Sequence, residues 1–318
     1  DDITSSEEAL ALISEIKEAI DYIKAGQALF AEISPLVDDY AAKFNELGLT
    51  DPAFEALLTV LGDKVAENEY FADNDEIAKG IEDLKKGWIA AVVASAEVGD
   101  ELEGIILNPD FETGDISNWT DTFTSGNHGF QNNNTYYDEE GNAVISNFAE
   151  AWGGSTSTVL LEGSISQEIA APLPEGYYQL EMDGYAVHQA GEPEGGVQGV
   201  YLFAKTGNSI QKVNIGITGT SGVSQHWTLG FYSNGTDLTT VGVMVDGEEV
   251  NCNWTAFDNF KLVYYADQVP DAVEGIAVET TAAPKAIFTL DGRQTSTLTR
   301  GINIVRKADG SVQKVLVK

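Results

Sequence analysis

The sequence is poor in the residues that support disulfides, metal sites and membrane helices: it has one cysteine, Cys252, and three histidines. A single cysteine excludes an intrachain disulfide. The histidines do not lie in the H-E-x-x-H spacing of a zinc protease, and the sequence has neither a G-x-S-x-G elbow nor a phosphate-binding glycine loop. It also lacks a run of about 18 apolar residues that would form a transmembrane helix. We therefore predict that the protein is not an enzyme and does not insert into a membrane.

Basic residues are scarce as well: 17 Lys and Arg stand against 51 Asp and Glu, which gives a net charge of −34. Nucleic acids and anionic membranes attract basic surfaces, so we predict that the protein has no nucleic-acid partner. The surplus carboxylates are oxygen ligands of the kind that calcium prefers. With 43% hydrophobic residues and 32 glycines among 318 residues, the chain is expected to fold into more than one domain, rich in turns.

Residues 1–103 show the three- and four-residue spacing of amphipathic helices. Ser34-Pro35, Asp51-Pro52 and Asn74-Asp75 look like helix starts, and Gly48 like a helix end. These signals predict a bundle of three or four helices. We expect the first apolar stripe to pack inside that bundle, although it could instead form a groove for a partner helix; the stripe consists of Leu10, Ile13, Ile16, Ile20 and Ile23.

The hydrophobic pattern changes to a period of two over residues 104–267, which is typical of half-buried antiparallel strands. Asn234-Gly235 and Asp246-Gly247 are hairpin-turn signals. Eight or more short strands, one of them expected at residues 159–161, predict an antiparallel β-sandwich of the jelly-roll type. Residues 268–318 contain three to five further strand-like runs and predict a small C-terminal all-β domain. The fold class is therefore multidomain, with a helical bundle, a β-sandwich and a small β domain.

Residues 104–267 resemble the galactose-binding-like jelly rolls found among carbohydrate-binding modules. The opening motif is Asn-Pro-Asp-Phe-Glu-Thr-Gly at 108–114, followed by Trp119, and the closing motif is Phe-Asp-Asn-Phe-Lys-Leu at 257–262. Ser-Gln-Glu-Ile at 166–169 and Leu-Pro-Glu-Gly-Tyr-Tyr at 173–178 match the motifs that lie between them. The resemblance implies a sandwich whose first and last strands lie side by side, and a binding role rather than a catalytic one.

The tail resembles the C-terminal β domain that is common on exported proteins of the Bacteroidetes. The matching segments are residues 287–293, 300–305 and 314–318, with Asn303 in place of the usual aromatic residue. The resemblance implies a secreted or cell-surface protein of such a bacterium. A signal peptide is not visible in this chain, which begins Asp1-Asp2 as a processed start would.

In the resembling modules, a structural calcium ion often ties the first strand to the last. The matching positions imply Glu112 and Asp258 as side-chain ligands, with Asp110 as a further candidate. The alternative is that these carboxylates only cap turns by accepting hydrogen bonds from backbone amides. Trp119 and Trp254, both within Asn-Trp-Thr, are expected to pack in the core.

The candidate sugar-binding residues are expected in loops, within the polar stretch 120–142, which looks too irregular for a buried strand, and just after it. A sugar ring stacks on an aromatic plane while amides bind its hydroxyls. The candidates are Trp152, Tyr136, Tyr137, His128 and Phe130, and the loop 189–197 is expected to line the same rim. The alternative is that these aromatics cover the sandwich edge. We therefore predict an extracytoplasmic carbohydrate-binding protein; the rivals are a structural or adhesin-like surface protein and, last, a glycoside hydrolase.

Overall fold

The computed structural model describes residues 6–67, 71, 73–247 and 250–266, together with the backbone of four later strands. The chain divides into two compact units, Asp1–Glu274 and Gly275–Lys318. The helices and the sandwich therefore belong to one unit. The domain boundaries drawn at residues 103 and 267 stay predictions.

The first helix, α1, is a single element of 41 residues, Ser6–Glu46. The expectation that Ser34-Pro35 starts a new helix is wrong, because α1 runs through Pro35. A proline inside a helix removes one hydrogen bond and costs about 3 kcal/mol. Here tertiary packing outweighs that cost, since Ile33 and Val37 on either side of the proline are buried at 0% and 5% exposure. The expected end is confirmed: Gly48 follows α1 with a φ of 63°.

Two shorter helices complete the helical region: α2, Pro52–Glu67, and α3, Asn74–Ser95. The sequence predicted where both helices start. Asp51 caps α2 by accepting a hydrogen bond from the Phe54 N–H at 2.9 Å, and Asp73 caps α3 by accepting one from the Glu76 N–H at 2.9 Å. The helices pack around Trp88, which is 1% exposed and stacks on Tyr40 with ring centroids 5.2 Å apart.

The N-terminal half of α1 does not join this core. The apolar stripe that we expected to pack inside the bundle is exposed, with Leu10 at 68% and Ile16 at 50%. The buried side chains of α1 start only at Ile33. Self-packing is therefore wrong for residues 10–23, because α2 and α3 are too short to extend along the whole of a 41-residue helix.

The β-rich region contains twelve strands within the described residues. They are β1 Thr120–Asp121, β2 Asn127–Gln131, β3 Tyr136–Tyr137, β4 Ala143–Ile145, β5 Phe148–Trp152, β6 Gly163–Glu168, β7 Gly176–Val187, β8 Val200–Thr206, β9 Ser209–Asn214, β10 Gln225–Ser233, β11 Thr239–Val245 and β12 Trp254–Ala266.

These strands form two five-stranded antiparallel sheets, in the orders β1-β6-β11-β8-β9 and β10-β7-β12-β5-β2, and a separate hairpin, β3-β4. The sandwich prediction is confirmed. Two local expectations are wrong: residues 120–142 contain β1, β2 and β3, and residues 159–161 lie outside every strand. Leu160 is anchored instead by its N–H, which donates to the Cys252 carbonyl at 2.8 Å.

The opening and closing motifs meet as the resemblance implied. The Phe111 and Phe260 rings lie 6.5 Å apart, and the Phe260 N–H donates to the Pro109 carbonyl at 2.9 Å. Trp119 packs on Phe260 with centroids 4.7 Å apart and is 7% exposed, which confirms its expected place in the core. An aromatic cluster thus joins the first and last segments of the sandwich.

A short segment with exposed residues 97–101 connects α3 to the sandwich, and backbone hydrogen bonds tie it to β12. The Trp88 indole N–H donates to the Gly104 carbonyl at 3.2 Å, and the Leu102 N–H donates to the Leu262 carbonyl of β12 at 2.7 Å. The helical core and the sandwich interior form one hydrophobic cluster.

The second unit contains a four-stranded antiparallel sheet in the order β14-β13-β15-β16. Its strands are β13 Ala286–Thr289, β14 Gln294–Thr295, β15 Gly301–Arg306 and β16 Val312–Val317. The expected strand-like runs are confirmed at the level of the backbone. Within the described part of the chain, none of the helices combines the length and the apolarity needed to cross a bilayer.

Candidate functional site

The strand register places two tryptophans side by side on the outer face of one sheet. Trp152 at the end of β5 pairs with Asn127 of β2 on one side and with Trp254 of β12 on the other. Side chains alternate between the two faces of a strand. Ala149 and Ala151 of β5 point into the main core, so Trp152 lies on the opposite face.

A cleft of about 350 Å³ opens on this outer face. Among the described residues, its walls are amides and aromatic rings with a single carboxylate, and they include neither lysine nor arginine nor histidine. The lining residues are Asn127, Gln131, Asn133, Asn134, Tyr136, Glu150, Trp152, Gln189 and Trp254. Volume and composition both fit a small polar ligand with an apolar face.

Both indole N–H groups are held by neighbouring cleft residues. Trp152 Nε1 donates to Gln189 Oε1 at 2.8 Å, and Trp254 Nε1 donates to Glu150 Oε2 at 3.0 Å. Each ring is therefore fixed in orientation before any ligand arrives, and both remain partly exposed. Burial raises the pKa of Glu150, and the bond from Trp254 offsets part of that rise.

The backbone comes very close at the mouth of the cleft. Gly126 precedes β2 with a φ of 79°, and an added Cβ there would overlap the Trp152 carbonyl. Only glycine tolerates both the conformation and the approach. Gly126 thus lets β2 start directly beside Trp152.

Tyr136 lines the base of the cleft, but it is buried at 7% exposure instead of being presented on a loop. Its ring packs edge-on against Phe148, Tyr185 and Trp254 at 5.1, 5.3 and 5.5 Å. The hairpin β3-β4 thereby covers part of the outer face. For Tyr136, the alternative given above is therefore the correct one: this aromatic side chain covers the sandwich.

The remaining candidates lie away from the cleft. Tyr137 is 50% exposed on the hairpin and is not among the lining residues. His128 and Phe130 point to the other face of β2, where His128 Nδ1 bonds to Asp121 Oδ2 at 2.7 Å and Phe130 packs against the main core. The structure therefore brings only Trp152 and Tyr136 of the five candidates together.

Sequence reasoning missed three cleft residues. Trp254 was expected in the core, but it is only partly buried and lines the cleft. Asn127 and Glu150 carried no signal of their own, because amides and carboxylates are common throughout this chain. The period-two alternation of β5 would have placed Glu150 on the same face as Trp152, had the strand been located.

The carboxylates proposed for calcium have the oxygen ligands that a hard cation prefers, but their arrangement does not form a ligand group by itself. Asp258 is 3% exposed, and burial raises its pKa to about 8, with Asp110, Glu112 and Asp183 adding repulsion. Among the described residues, however, the His, Cys, Asp and Glu side chains form no group of three or more that could hold a metal ion. Backbone carbonyls would have to complete the coordination, and the calcium site stays a prediction.

A larger groove of about 490 Å³ lies on the outer side of the other sheet. Its walls carry Ser164, Ser166 and Thr240, with the charged Lys205 at one side. The aromatic ring in its lining, Phe203, is buried at 6% exposure, so it offers no open plane for stacking. The smaller cleft is therefore the better candidate for a binding site.

Comparisons with known proteins find matches among solved structures alone, at low sequence identity. Neither a family model nor a curated protein sequence matches this chain. Among solved structures, TmCBM61 in complex with β-1,4-galactotriose is 21% identical with a TM-score of 0.35, covering 50% of this chain and 97% of its own. A cyclase from Fischerella sp. TAU is 17% identical with a TM-score of 0.37, and the match covers 52% of this chain and 97% of the cyclase. The CBM22-1 xylan-binding domain of Paenibacillus barcinonensis Xyn10C is 12% identical with a TM-score of 0.31, and the match covers 55% of this chain and 100% of that domain.

At these identities and TM-scores, neither sugar binding nor cyclase activity is transferred to this chain. Its function has to be inferred from the residues of its own cleft.

Proposed function

We propose that this protein binds neutral carbohydrate chains without cleaving them, through the cleft lined by Trp152 and Trp254. The observation that carries the proposal is the convergence of two oriented indole rings with five amide side chains. The C–H face of a sugar stacks on an aromatic plane, and its hydroxyls exchange hydrogen bonds with amides.

The charge of the cleft selects the class of glycan. Glu150 is the charged residue of the lining, and the whole chain carries a net charge of −34. Uronates and sulfated sugars would be repelled, because the lining offers no cation to pair with them. Neutral glycans bear hydroxyls that can donate to Glu150 and to the amide oxygens.

The count of carboxylates supports the proposal that the bound glycan is not cleaved. Hydrolysis of a glycosidic bond ordinarily uses two carboxyl groups on opposite sides of the bond. Among the described residues that line the cleft, Glu150 is the lone carboxylate. We expect no new reducing ends when the protein is incubated with a polysaccharide that it binds.

The test is affinity gel electrophoresis of the full chain in neutral galactan, xylan and β-glucan, with polygalacturonate as the anionic comparison. We expect retardation in at least one neutral gel and none in polygalacturonate. Trp152→Ala should weaken binding at least about tenfold, as the loss of a stacking platform does. Tyr137→Ala removes an exposed aromatic outside the cleft and should leave the affinity within about twofold.

Circular dichroism establishes that each variant is folded. Free migration of the wild type in every neutral gel would refute the proposal. So would loss of retardation in Tyr137→Ala with retention in Trp152→Ala, because that result would move the site to the hairpin.

A further inference from the structure

The exposed stripe of α1 repeats with the spacing of a coiled coil. Ile13, Ile16, Ile20 and Ile23 are separated by three, four and three residues, which assigns them to positions a, d, a and d of successive heptads. They are 47%, 50%, 44% and 58% exposed. Four large β-branched side chains in one line on an open helix face are unusual for a surface that only meets water.

Ile13, Ile16 and Ile20 of the stripe lie beyond the reach of the bundle. The Asn74 N–H, at the start of α3, donates to Tyr22 Oη at 3.3 Å, and the buried face of α1 begins later, at Ile33. Residues 6–21 extend about 24 Å past that contact at 1.5 Å per residue. An isolated helix of this length is marginal in water, so a partner on the stripe would also stabilise its helical state.

The stripe has a different charge on each side. Lys17 and Lys24 occupy e positions along one flank, with Asp21 next to them at b. Leu12 and Ala19 occupy the g positions along the other flank, with Glu15 next to them at c. In a parallel arrangement of identical helices, the e flank of one copy faces the g flank of the next. Lys17 then lies beside small or apolar residues and within reach of Glu15 of the next copy. An antiparallel arrangement would instead place the lysines of both copies next to each other, where they repel.

We propose that the N-terminal half of α1 associates with the same segment of further copies of this chain, as a parallel coiled coil. Isoleucine at both a and d favours three or four strands over two. The occupant of the stripe is thus a second copy, because the apolar spacing matches itself and a parallel arrangement brings the lysines of one flank toward Glu15 beside the other flank. Assembly would gather several sandwiches, and their clefts, at one end of the coil.

The test is the mass of the full chain in solution, measured by light scattering and sedimentation over a range of concentrations. We expect three or four times the 34.1 kDa of one chain, falling on dilution. Ile16→Asp combined with Ile20→Asp should weaken self-association at least about a hundredfold, because it places charges in the seam. Both isoleucines are half exposed, so the bundle should remain folded.

The matched control carries the same two added charges on the opposite face of the helix, Ala11→Asp with Ala25→Asp, and should still assemble. A wild type that stays monomeric at about 100 µM would overturn the proposal, since that concentration would detect even weak self-association. An unchanged mass in the Ile16 and Ile20 double variant would overturn it as well.

Orientation is tested by Ala9→Cys, which adds a thiol at a d position. The natural Cys252 is buried and leaves the introduced thiol as the reactive one. A parallel coil brings the introduced thiols of neighbouring copies within disulfide distance, about 5.5 Å between Cα atoms. Oxidation should yield covalent dimers; assembly without cross-linking would contradict the parallel orientation.

Discussion

Trp152 and Trp254 lie opposite each other on neighbouring strands, and each indole N–H is bonded to a cleft residue 2.8–3.0 Å away. The pair therefore combines rigid aromatic planes with a fixed polar edge. Fixed side chains bind at a lower entropy cost than mobile ones, because they have little freedom left to lose. This relationship makes the cleft a pre-organised site.

Glu150→Gln should change how stability depends on pH. Burial raises the pKa of Glu150, so the folded state binds its proton more tightly than the unfolded state. That stabilisation is complete below the ordinary pKa of the group and is lost as the pH rises through the raised value. The glutamine variant should therefore gain stability over the wild type at neutral pH and match it in acid, as followed by thermal unfolding from pH 3 to 8.

Glu140→Gln removes the same charge from an exposed position outside the cleft and controls for net charge. Equal gains in both variants at neutral pH would mean that general charge repulsion, and not the burial of Glu150, is responsible.

At neutral pH and in the presence of a chelator, Asp258→Asn should stabilise the protein by about 1–3 kcal/mol. Burial raises the pKa of Asp258 and so penalises its ionisation, a cost that asparagine avoids. If calcium binds there, adding it should raise the melting temperature of the wild type and leave that of the variant unchanged. Differential scanning calorimetry with EDTA, calcium and magnesium distinguishes these cases. A melting temperature that calcium does not shift would remove the calcium site from this protein.

Pro35→Ala should stabilise the helical region by about 1–3 kcal/mol, because it restores a main-chain hydrogen bond inside α1. The position is exposed, so the alanine creates no cavity. Urea unfolding followed by circular dichroism measures the change. Pro52→Ala is the matched control: proline at the first position of α2 sacrifices no hydrogen bond, and its removal should be neutral or slightly destabilising.

Gly126→Ala should lower both stability and glycan affinity, since its Cβ would push β2 away from Trp152. Gly141→Ala has a similar φ, 86° against 79°, but an added Cβ there meets nothing within 4 Å. The control should therefore lose about 1 kcal/mol from backbone strain alone, while Gly126→Ala loses more. Equal melting temperatures for the two variants would show that the close approach to Trp152 does not matter.

The amino-acid sequence alone determined the classes of structure and their order along the chain. The start signal Asn74-Asp75 and the three- and four-residue apolar spacing identified α3, and period-two runs identified the sandwich, because local hydrophobic periodicity reports which face of an element is buried. The motifs around Phe111 and Phe260 identified the two segments that meet. The sequence also predicted that Gly48 ends α1, because glycine is strongly preferred at positions with a positive φ.

Only the tertiary structure decided which residues form the cleft and which stripe stays open. Trp254 and Trp119 share the same local sequence, Asn-Trp-Thr, yet one lines a cleft and the other is core, because the pairing partners of each strand lie far away in the chain. Pro35 lies inside a helix because buried neighbours outweigh its local preference. The sequence favoured packing of the isoleucine stripe inside the bundle, but α2 and α3 are too short to cover it. The local hydrophobic pattern determines which face of a helix or strand is apolar, whereas contacts between distant segments determine which other part of the chain covers that face.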